Sequence, residues 1–135
     1  MEKENFESPL ELVHLNTSGP RPTSQFDLIE DGKKIGMLQL RHTLSGKSDA
    51  MPEGFESNVY YEIESEYQHS GYGKKILTLG LDEARKIGLT EVILTCYEDN
   101  IPSQKIIEAN GGVVINNQLD KEGAMVRLYK INLGK

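Results

Sequence analysis

The sequence predicts a single α/β domain with a mixed sheet and two main helices. Three features of the 135-residue chain indicate this class. An apolar strand, a glycine-rich loop and an amphipathic helix follow one another between Val59 and Ile87, and a second apolar strand comes directly after that helix. Strand, helix and strand in this order form a βαβ unit with parallel neighbours and a right-handed crossover. The length suits one domain over residues 1–135, with residues 1–9 as a loose polar tail.

Composition narrows the class of function. The net charge is −6 and the chain contains no concentrated basic stripe, so a nucleic-acid partner is not expected. The charged segment Met1–Asn5 is followed by no long apolar run, which argues against a signal peptide and a membrane span. Cys96 is the only cysteine, so no internal disulfide can form, and a cytoplasmic protein is the default expectation.

The N-terminal part of the chain predicts three strands. Apolar and polar residues alternate weakly over Leu10–Leu15, and clearer strand patterns cover Gln25–Glu30 and Lys34–His42. The two prolines in Asn16–Ser24 predict a loop there. Asp31-Gly32 is a strong signal for a two-residue hairpin turn between the second and third strands.

The central part supplies the βαβ unit. Thr43–Ser57 shows no periodicity and is expected to be either a mobile loop or part of a binding site. Val59–Ile63 is predicted as a strand, Lys74–Ile87 as a helix ended by Gly88, and Glu91–Cys96 as a strand covered on both faces. The predicted apolar stripe of the helix comprises Ile76, Leu77, Gly80, Leu81, Ala84 and Ile87.

The C-terminal part predicts a second helix and a closing hairpin. Asn100 is a good N-cap for a helix that continues over Ser103–Ala109 and stops at Asn110-Gly111-Gly112. Val113–Asn116 and Met125–Ile131 are expected to pair as antiparallel strands.

The loop Gln68–Gly73 is a candidate phosphate site because glycines permit close backbone approach and the next helix points unpaired N–H groups into the turn. A P-loop would need Ser or Thr where Lys75 stands, and a dinucleotide fingerprint would need a third glycine where Ile76 stands. Both nucleotide interpretations are therefore poor. A third interpretation, the pyrophosphate of an acyl-CoA, comes from a resemblance to a known family.

Two segments carry a resemblance to a known family. Gln68-x-x-Gly71-x-Gly73 resembles the glycine-rich signature of the GNAT superfamily of N-acetyltransferases, and Thr95–Ser103 with Asn110-Gly111-Gly112 looks like the second half of that fold. The resemblance covers about Phe26–Ile131 and is close to a bacterial subgroup of predicted acetyltransferases. It implies a mainly antiparallel mixed sheet whose central parallel pair splays at the cofactor site. The chain departs from the family at Asn16–Ser24, which is too short for the two helices that often shape the acceptor side.

The resemblance implies a site for acetyl-CoA as cosubstrate. Backbone N–H groups of the loop would hold the pyrophosphate, the strand at Ile63 would hold the pantetheine arm and thioester carbonyl, and the second helix would contact the arm from the other side. The implied cofactor-binding residues are Ile63, Gln68, His69, Ser70, Gly71, Tyr72, Gly73, Lys74, Asn100 and Ser103. The three histidines lack metal-ligand spacing, so no metal is expected. A homodimer is a further implication of the resemblance.

Acetyl transfer to an amine needs a base, because a primary ammonium has a pKa of about 10.4. Glu62 and Glu64 share one face of their strand, and each is a candidate base or acceptor-site carboxylate, with a solvent-facing residue as the alternative. Many GNAT enzymes place a proton-donating tyrosine where this chain has Ile107. Tyr97 is a candidate substitute, with packing as its alternative role. Cys96 has no identified His or Asn partner and is expected to be buried and structural.

The predicted function is acetyl-CoA-dependent N-acetyl transfer to a primary amine of a small molecule or peptide, by direct attack in a ternary complex. The acidic balance weakly favours a cationic acceptor such as a polyamine, an aminoglycoside or a lysine side chain. The alternative is a non-catalytic acyl-CoA-binding sensor or interaction domain.

Overall fold

The computed structural model describes residues 10–19, 21–44 and 55–134, and it confirms the predicted α/β fold. The predicted tail at residues 1–9 and most of the predicted connection Thr43–Ser57 lie outside this range. The elements are β1 (Glu11–Ser18), β2 (Thr23–Glu30), β3 (Lys33–Arg41), β4 (Val59–Ile63), α1 (Tyr72–Lys86), β5 (Glu91–Tyr97), α2 (Ile101–Ala109), β6 (Val113–Leu119) and β7 (Met125–Asn132). A short 3₁₀ turn, Ser65–Tyr67, precedes α1.

The first two strands form a direct hairpin, so the connection is shorter than the predicted loop Asn16–Ser24, whose two ends belong to the strands. β1 extends to Ser18, which pairs with Thr23, and a bulge after His14 shifts the register. This bulge interrupts the simple alternation on which the sequence prediction relied. The second hairpin is confirmed, since Asp31 and Gly32 both have positive φ, 54° and 73°, and Glu30 pairs with Lys33 across them.

The strands form two antiparallel sheets of order β1-β2-β3-β4 and β5-β7-β6. In the described part of the chain no ladder joins β4 to β5, so the predicted pair is bonded only through the residues just before β4 and is splayed beyond them, as the resemblance implied. The two strands meet through Asn58, whose N–H donates to the Ile93 carbonyl at 2.8 Å and whose Oδ1 accepts the Ile93 N–H at 2.8 Å. Ser57 Oγ likewise accepts the Thr95 N–H at 2.9 Å. The side chains of Ser57 and Asn58, which come just before β4, therefore accept the β5 N–H groups that carbonyl groups of a paired strand would otherwise accept.

The main core lies between the sheets and the helices. α1 buries the predicted stripe except for its last member, Ile87, which is 41% exposed. The helix ends at Lys86, and Gly88 adopts φ +90° while the Leu89 N–H bonds back to the Ala84 carbonyl at 3.0 Å. This left-handed C-terminal turn carries Ile87 off the buried stripe. Ile93 packs in a second cluster around Phe55, so β5 is covered on both faces as predicted.

The second helix and the closing hairpin follow the prediction. Asn100 caps α2 by accepting the Ser103 N–H at 3.3 Å, and Pro102 lies in the first turn. The β6–β7 connection is shorter than predicted because β6 continues to Leu119, and Asp120 Oδ1 closes the turn by accepting the Ala124 N–H at 2.9 Å. All seven residues of β6 are exposed.

Candidate functional site

A cleft of about 700 Å³ opens where β4 ends, between the loop that precedes α1 and the first turns of α2. It lies where β4 and β5 are no longer bonded to each other. Its lining residues are Tyr61, Glu62, Ile63, Glu64, Ser65, Tyr67, Gln68, His69, Gly71, Gly73, Lys74, Asn100, Pro102, Ser103 and Ile106.

The structure brings most of the predicted site residues to this cleft. The predicted cofactor residues that line it are Ile63, Gln68, His69, Gly71, Gly73, Lys74, Asn100 and Ser103. The two predicted carboxylates, Glu62 and Glu64, lie at its rim. Ser70, Tyr72 and Tyr97 are not among the lining residues.

The N-terminus of α1 opens directly into the cleft. Gly71 is the N-cap in the left-handed conformation predicted for it, with φ +89°, and a Cβ at this position would meet no atom within 4 Å. Because the first helical bond runs from the Lys75 N–H to the Gly71 carbonyl, the N–H groups of the first turn have no acceptor within the helix. Gly71 therefore leaves an open approach to a set of N–H donors that favours an anion.

Gly73 has a different role from the one predicted. It lies within α1 and is absent from the positive-φ glycines. A Cβ at Gly73 would approach Ile106 Cδ1 to 2.7 Å. This glycine therefore allows α1 and α2 to pack closely at the cleft wall.

The loop before α1 is held by its own side chains. Gln68 Nε2 donates to the Ile63 carbonyl at 3.0 Å, and Ser70 Oγ donates to the Gln68 carbonyl at 3.4 Å. His69 adopts φ +64°, a left-handed conformation that histidine tolerates better than most residues. Gln68 thus fixes the loop to the end of β4, and the Ile63 carbonyl already has a partner within the chain.

Two predicted tyrosines are directed elsewhere. The Tyr72 hydroxyl donates to Glu30 Oε1 at 2.5 Å and ties α1 to β2. The Tyr97 hydroxyl donates to Asp120 Oδ2 at 3.1 Å in the β6–β7 turn, and this bond is the main reason that the pKa of Tyr97 is raised. Neither partner could be found from spacing along the sequence, because each contact joins separate elements.

Tyr61 is a cleft residue that the sequence analysis did not select. It lies on the same face of β4 as Ile63, packs against the main core and lines the cleft together with Ser103 of α2. Burial raises the pKa of Tyr61 to about 12, so the phenol keeps its proton at neutral pH. The signal available in the sequence was its position two residues before Ile63 on the cofactor face.

Glu62 lies on the opposite face of β4. The β3–β4 register runs from Val59 to Ile63 without a shift, so β4 has no bulge and its side chains alternate regularly. The Tyr60 hydroxyl donates to Glu62 Oε2 at 2.5 Å, and this bond is the main cause of the raised pKa of Tyr60. We call this opposite face of β4, which carries Tyr60 and Glu62, the outer face. Glu62 borders the cleft from the outer face, and its partner Tyr60 is 51% exposed.

The remaining candidate groups lie outside the cleft. Cys96 is buried in the main core, and burial raises the pKa of its thiol, as expected for a structural cysteine. Ile107 is also part of that core. Within residues 10–19, 21–44 and 55–134, no three His, Cys, Asp or Glu side chains cluster in a way that could hold a metal. In the same residues no helix is long and apolar enough to cross a membrane.

Comparison with known proteins agrees with this architecture. No curated protein sequence matches the chain significantly. The ribosomal-protein-S18-alanine N-acetyltransferase of Escherichia coli shares 16% identity and a TM-score of 0.65, over 87% of this chain and 73% of that one. The structure of yncA from Salmonella typhimurium, solved with its cofactor acetyl-CoA, shares 17% identity and a TM-score of 0.63, over 84% of this chain and 66% of that one.

A third similar structure is the chimera of the spermidine N-acetyltransferase SpeG from Vibrio cholerae and hSSAT, with 16% identity and a TM-score of 0.67 over 82% of this chain and 68% of that one. The chain thus spans about two thirds of the length of these structures. At these identities the likeness concerns the fold. A sequence model of the acetyltransferase (GNAT) family matches residues 2–111, most of the chain. The protein therefore belongs to the GNAT family of acetyltransferases.

Proposed function

We propose that the protein is an acetyl-CoA-dependent N-acetyltransferase that transfers an acetyl group to a primary amine of a small molecule or peptide by direct attack. The observation that carries this proposal is the left-handed Gly71 N-cap, which opens the first turn of α1 to an anion inside the cleft of a GNAT chain. Acetyl-CoA supplies a pyrophosphate for this turn and an activated thioester carbonyl for the amine.

The residues around the cleft suit that cosubstrate. The backbone N–H groups of Tyr72, Gly73 and Lys74 would hold the pyrophosphate, and the Lys74 ammonium adds positive charge beside them. The pantetheine arm would lie between β4 and α2, bordered by Tyr61 and Ser103.

Two groups on β4 would serve the transfer, one on each face. Glu62 would take the proton of the incoming ammonium from the outer face, and its bond from Tyr60 fixes the orientation of the carboxylate. Tyr61 would act on the cofactor face as a neutral hydrogen-bond donor. Since its pKa is about 12, it is suited to hydrogen bonding and poorly suited to giving up its proton at neutral pH. Tyr61 would therefore not replace the proton-donating tyrosine whose position Ile107 occupies, and the CoA thiolate would leave without a dedicated proton donor.

The second candidate function is a non-catalytic acyl-CoA-binding sensor or interaction domain. Two observations favour it: Tyr97 is bonded to Asp120 outside the cleft, and β1 joins β2 by a direct hairpin where acceptor helices would stand. Release of CoA thiol that depends on an added amine separates an enzyme from a sensor.

The test of cofactor binding uses two glycines of α1. Gly71 and Gly88 have nearly the same φ, +89° and +90°, and a Cβ at either would meet no atom within 4 Å. Valine therefore introduces similar backbone strain at both ends of the helix, but only Gly71 borders the cleft. Isothermal titration should show that Gly71→Val abolishes acetyl-CoA binding and that Gly88→Val retains it. Normal affinity in Gly71→Val would remove the loop from the site.

We propose further that residues 1–135 form one cytoplasmic domain without a nucleic-acid partner.

We also propose that two copies of the protein pair through β6. This strand exposes the apolar residues Val113, Val114, Ile115 and Leu119, and β7 is its only partner strand among the described residues. The strand carries no charged residue, so two antiparallel copies could pair edge to edge without repulsion between like charges on the strand.

A further inference from the structure

The helix α2, which forms one wall of the cleft, is anchored near its start by a buried polar side chain. α2 buries two residues, Gln104 and Ile107. Ile107 belongs to the main core, whereas Gln104 lies closer to the first turn and is 7% exposed. That first turn carries Asn100 and Ser103, which line the cleft. Gln104 is thus the buried residue of α2 nearest in sequence to the cleft wall.

Both polar atoms of the Gln104 side chain have partners within the chain. Nε2 donates to the Tyr97 carbonyl at 3.2 Å and to the Glu98 carbonyl, and Oε1 accepts from Arg127 Nη1 at 3.1 Å. A guanidinium only donates and a backbone carbonyl only accepts, so the amide fits in a single orientation. The site therefore matches a glutamine, and a glutamate could satisfy Arg127 but not the two carbonyls.

The two carbonyls that Gln104 holds belong to the turn between β5 and α2. The Tyr97 carbonyl also accepts the Asn100 N–H at 2.9 Å, and the Asn100 side chain caps α2 by accepting the Ser103 N–H. Gln104 thus closes this turn from the buried side, while Asn100 and Ser103 border the cleft. A shift of the turn would change the separation of α2 and β4 across the cleft.

Arg127 connects the Gln104 amide to β7. Its guanidinium also donates to the Tyr129 hydroxyl at 3.4 Å and lies 3.9 Å from the Glu98 carboxylate. The Tyr129 hydroxyl donates to Glu108 Oε2 at 2.8 Å. Gln104 and Glu108 are four positions apart and share one face of α2, and Arg127 and Tyr129 share one face of β7. Two consecutive turns of α2 are therefore bonded to the same strand.

We propose that Gln104 is a positioning residue for the cosubstrate: its amide, oriented by Arg127, fixes the first turn of α2 at the distance from β4 that the pantetheine arm requires. This inference rests on the proposed acetyltransferase function. Gln104 is not among the residues that line the cleft, so it acts through Asn100 and Ser103. Its loss should weaken the binding of the arm and spare the binding of the pyrophosphate, which the first turn of α1 would hold.

The test compares two ligands that differ in the arm. Acetyl-CoA has the pyrophosphate and the arm, whereas 3′-phospho-ADP is the nucleotide part of CoA and has the pyrophosphate alone. Calorimetry measures the affinity of both ligands for the wild type and for two variants. Gln104→Met keeps the length of the side chain without its hydrogen bonds. Gln104→Glu keeps an acceptor for Arg127 but has no N–H for the carbonyls, and it remains informative if Gln104→Met does not fold.

Ile107→Val is the matched control, because it shortens the other buried residue of the same helix and leaves the turn before α2 unchanged. We expect both Gln104 variants to bind acetyl-CoA at least about tenfold more weakly than the wild type, through the loss of two hydrogen bonds. Their affinity for 3′-phospho-ADP should equal that of the wild type. Ile107→Val should bind both ligands as the wild type does.

Three results would overturn the positioning role: a parallel loss of both affinities in the Gln104 variants, wild-type affinity for acetyl-CoA in these variants, or recovery of that affinity in Gln104→Glu alone. The last result would assign the effect to the bond from Arg127 and not to the turn. A wild type that binds neither ligand contradicts the proposed function itself, and the role of Gln104 falls with it.

Discussion

Glu62 is the residue on which the proposed chemistry depends. Replacing it with Gln keeps the shape of the side chain and removes the base, so kcat should fall by about hundredfold or more while the affinity for acetyl-CoA is retained. Glu66→Gln is the matched control, since Glu66 is an exposed carboxylate in the 3₁₀ turn that does not line the cleft. Steady-state kinetics across pH measure the effect. Unchanged turnover in Glu62→Gln at every pH would remove Glu62 from the mechanism, and a loss in Glu64→Gln instead would assign the base to Glu64.

Tyr61 gives a prediction about stability. Its pKa is raised from 10.0 to about 12 by burial, so the folded state holds the phenolic proton more tightly than the unfolded chain does. This difference in proton affinity adds roughly 2–3 kcal/mol to the free energy of unfolding. The added stability is fully present below pH 10 and is lost as the pH rises toward about 12. The stability advantage of the wild type over Tyr61→Phe should therefore shrink across this window. Denaturant unfolding measures it, and a constant difference would show that Tyr61 is not buried as the structure has it.

At the scale of elements, the cleft depends on how closely β3 approaches β4. A Cβ at Gly36 would collide with the backbone carbonyl of Glu62, which cannot move without displacing the strand. A Cβ at Gly73 would meet only the flexible end of the Ile106 side chain. We expect Gly36→Ala to cost about 1–3 kcal/mol of unfolding free energy and Gly73→Ala much less, because alanine favours the helix. The reverse order in chemical denaturation would contradict this account of the packing.

The elements that the sequence predicted well are those fixed by neighbouring residues. Asp31-Gly32, the Asn100 cap and Gly88 each determine a turn or a helix end within a few positions. The relation between β4 and β5 could not be predicted in this way. It depends on the side chains of Ser57 and Asn58 bonding to β5, 38 and 35 residues further along the chain.

The predicted site shows the same division between local and distant contacts. The glycine-rich loop and α2 place Gly71, Lys74 and Ser103 around one cleft, as the local pattern suggested. Tyr97 and Tyr72 are directed to Asp120 and Glu30, which lie 23 and 42 positions away. A smaller cavity on the other face of β4 was likewise not predicted, because it is assembled from β3, β4, β5 and residues 55–57.

At the scale of the whole molecule, the exposed β6 strand predicts a dimer. Asn116→Lys places a charge on the strand in each copy, so the proposed edge-to-edge pair should dissociate through repulsion. Light scattering after size-exclusion chromatography should find a wild-type dimer and a monomeric variant. Glu122→Lys, a charge change in the β6–β7 turn and outside the strand, should remain dimeric. A monomeric wild type at high concentration would contradict the pairing.

The central claim concerns catalysis, and one measurement tests it directly. The purified chain is incubated with acetyl-CoA, and the release of CoA thiol is followed with and without a panel of primary amines that includes aminocarboxylates and polyamines. The proposed function predicts thiol release that depends on the amine, with one N-acetylated product formed for each thiol. Binding of acetyl-CoA without amine-dependent release from any member of the panel would contradict it and would identify the protein as an acyl-CoA-binding domain.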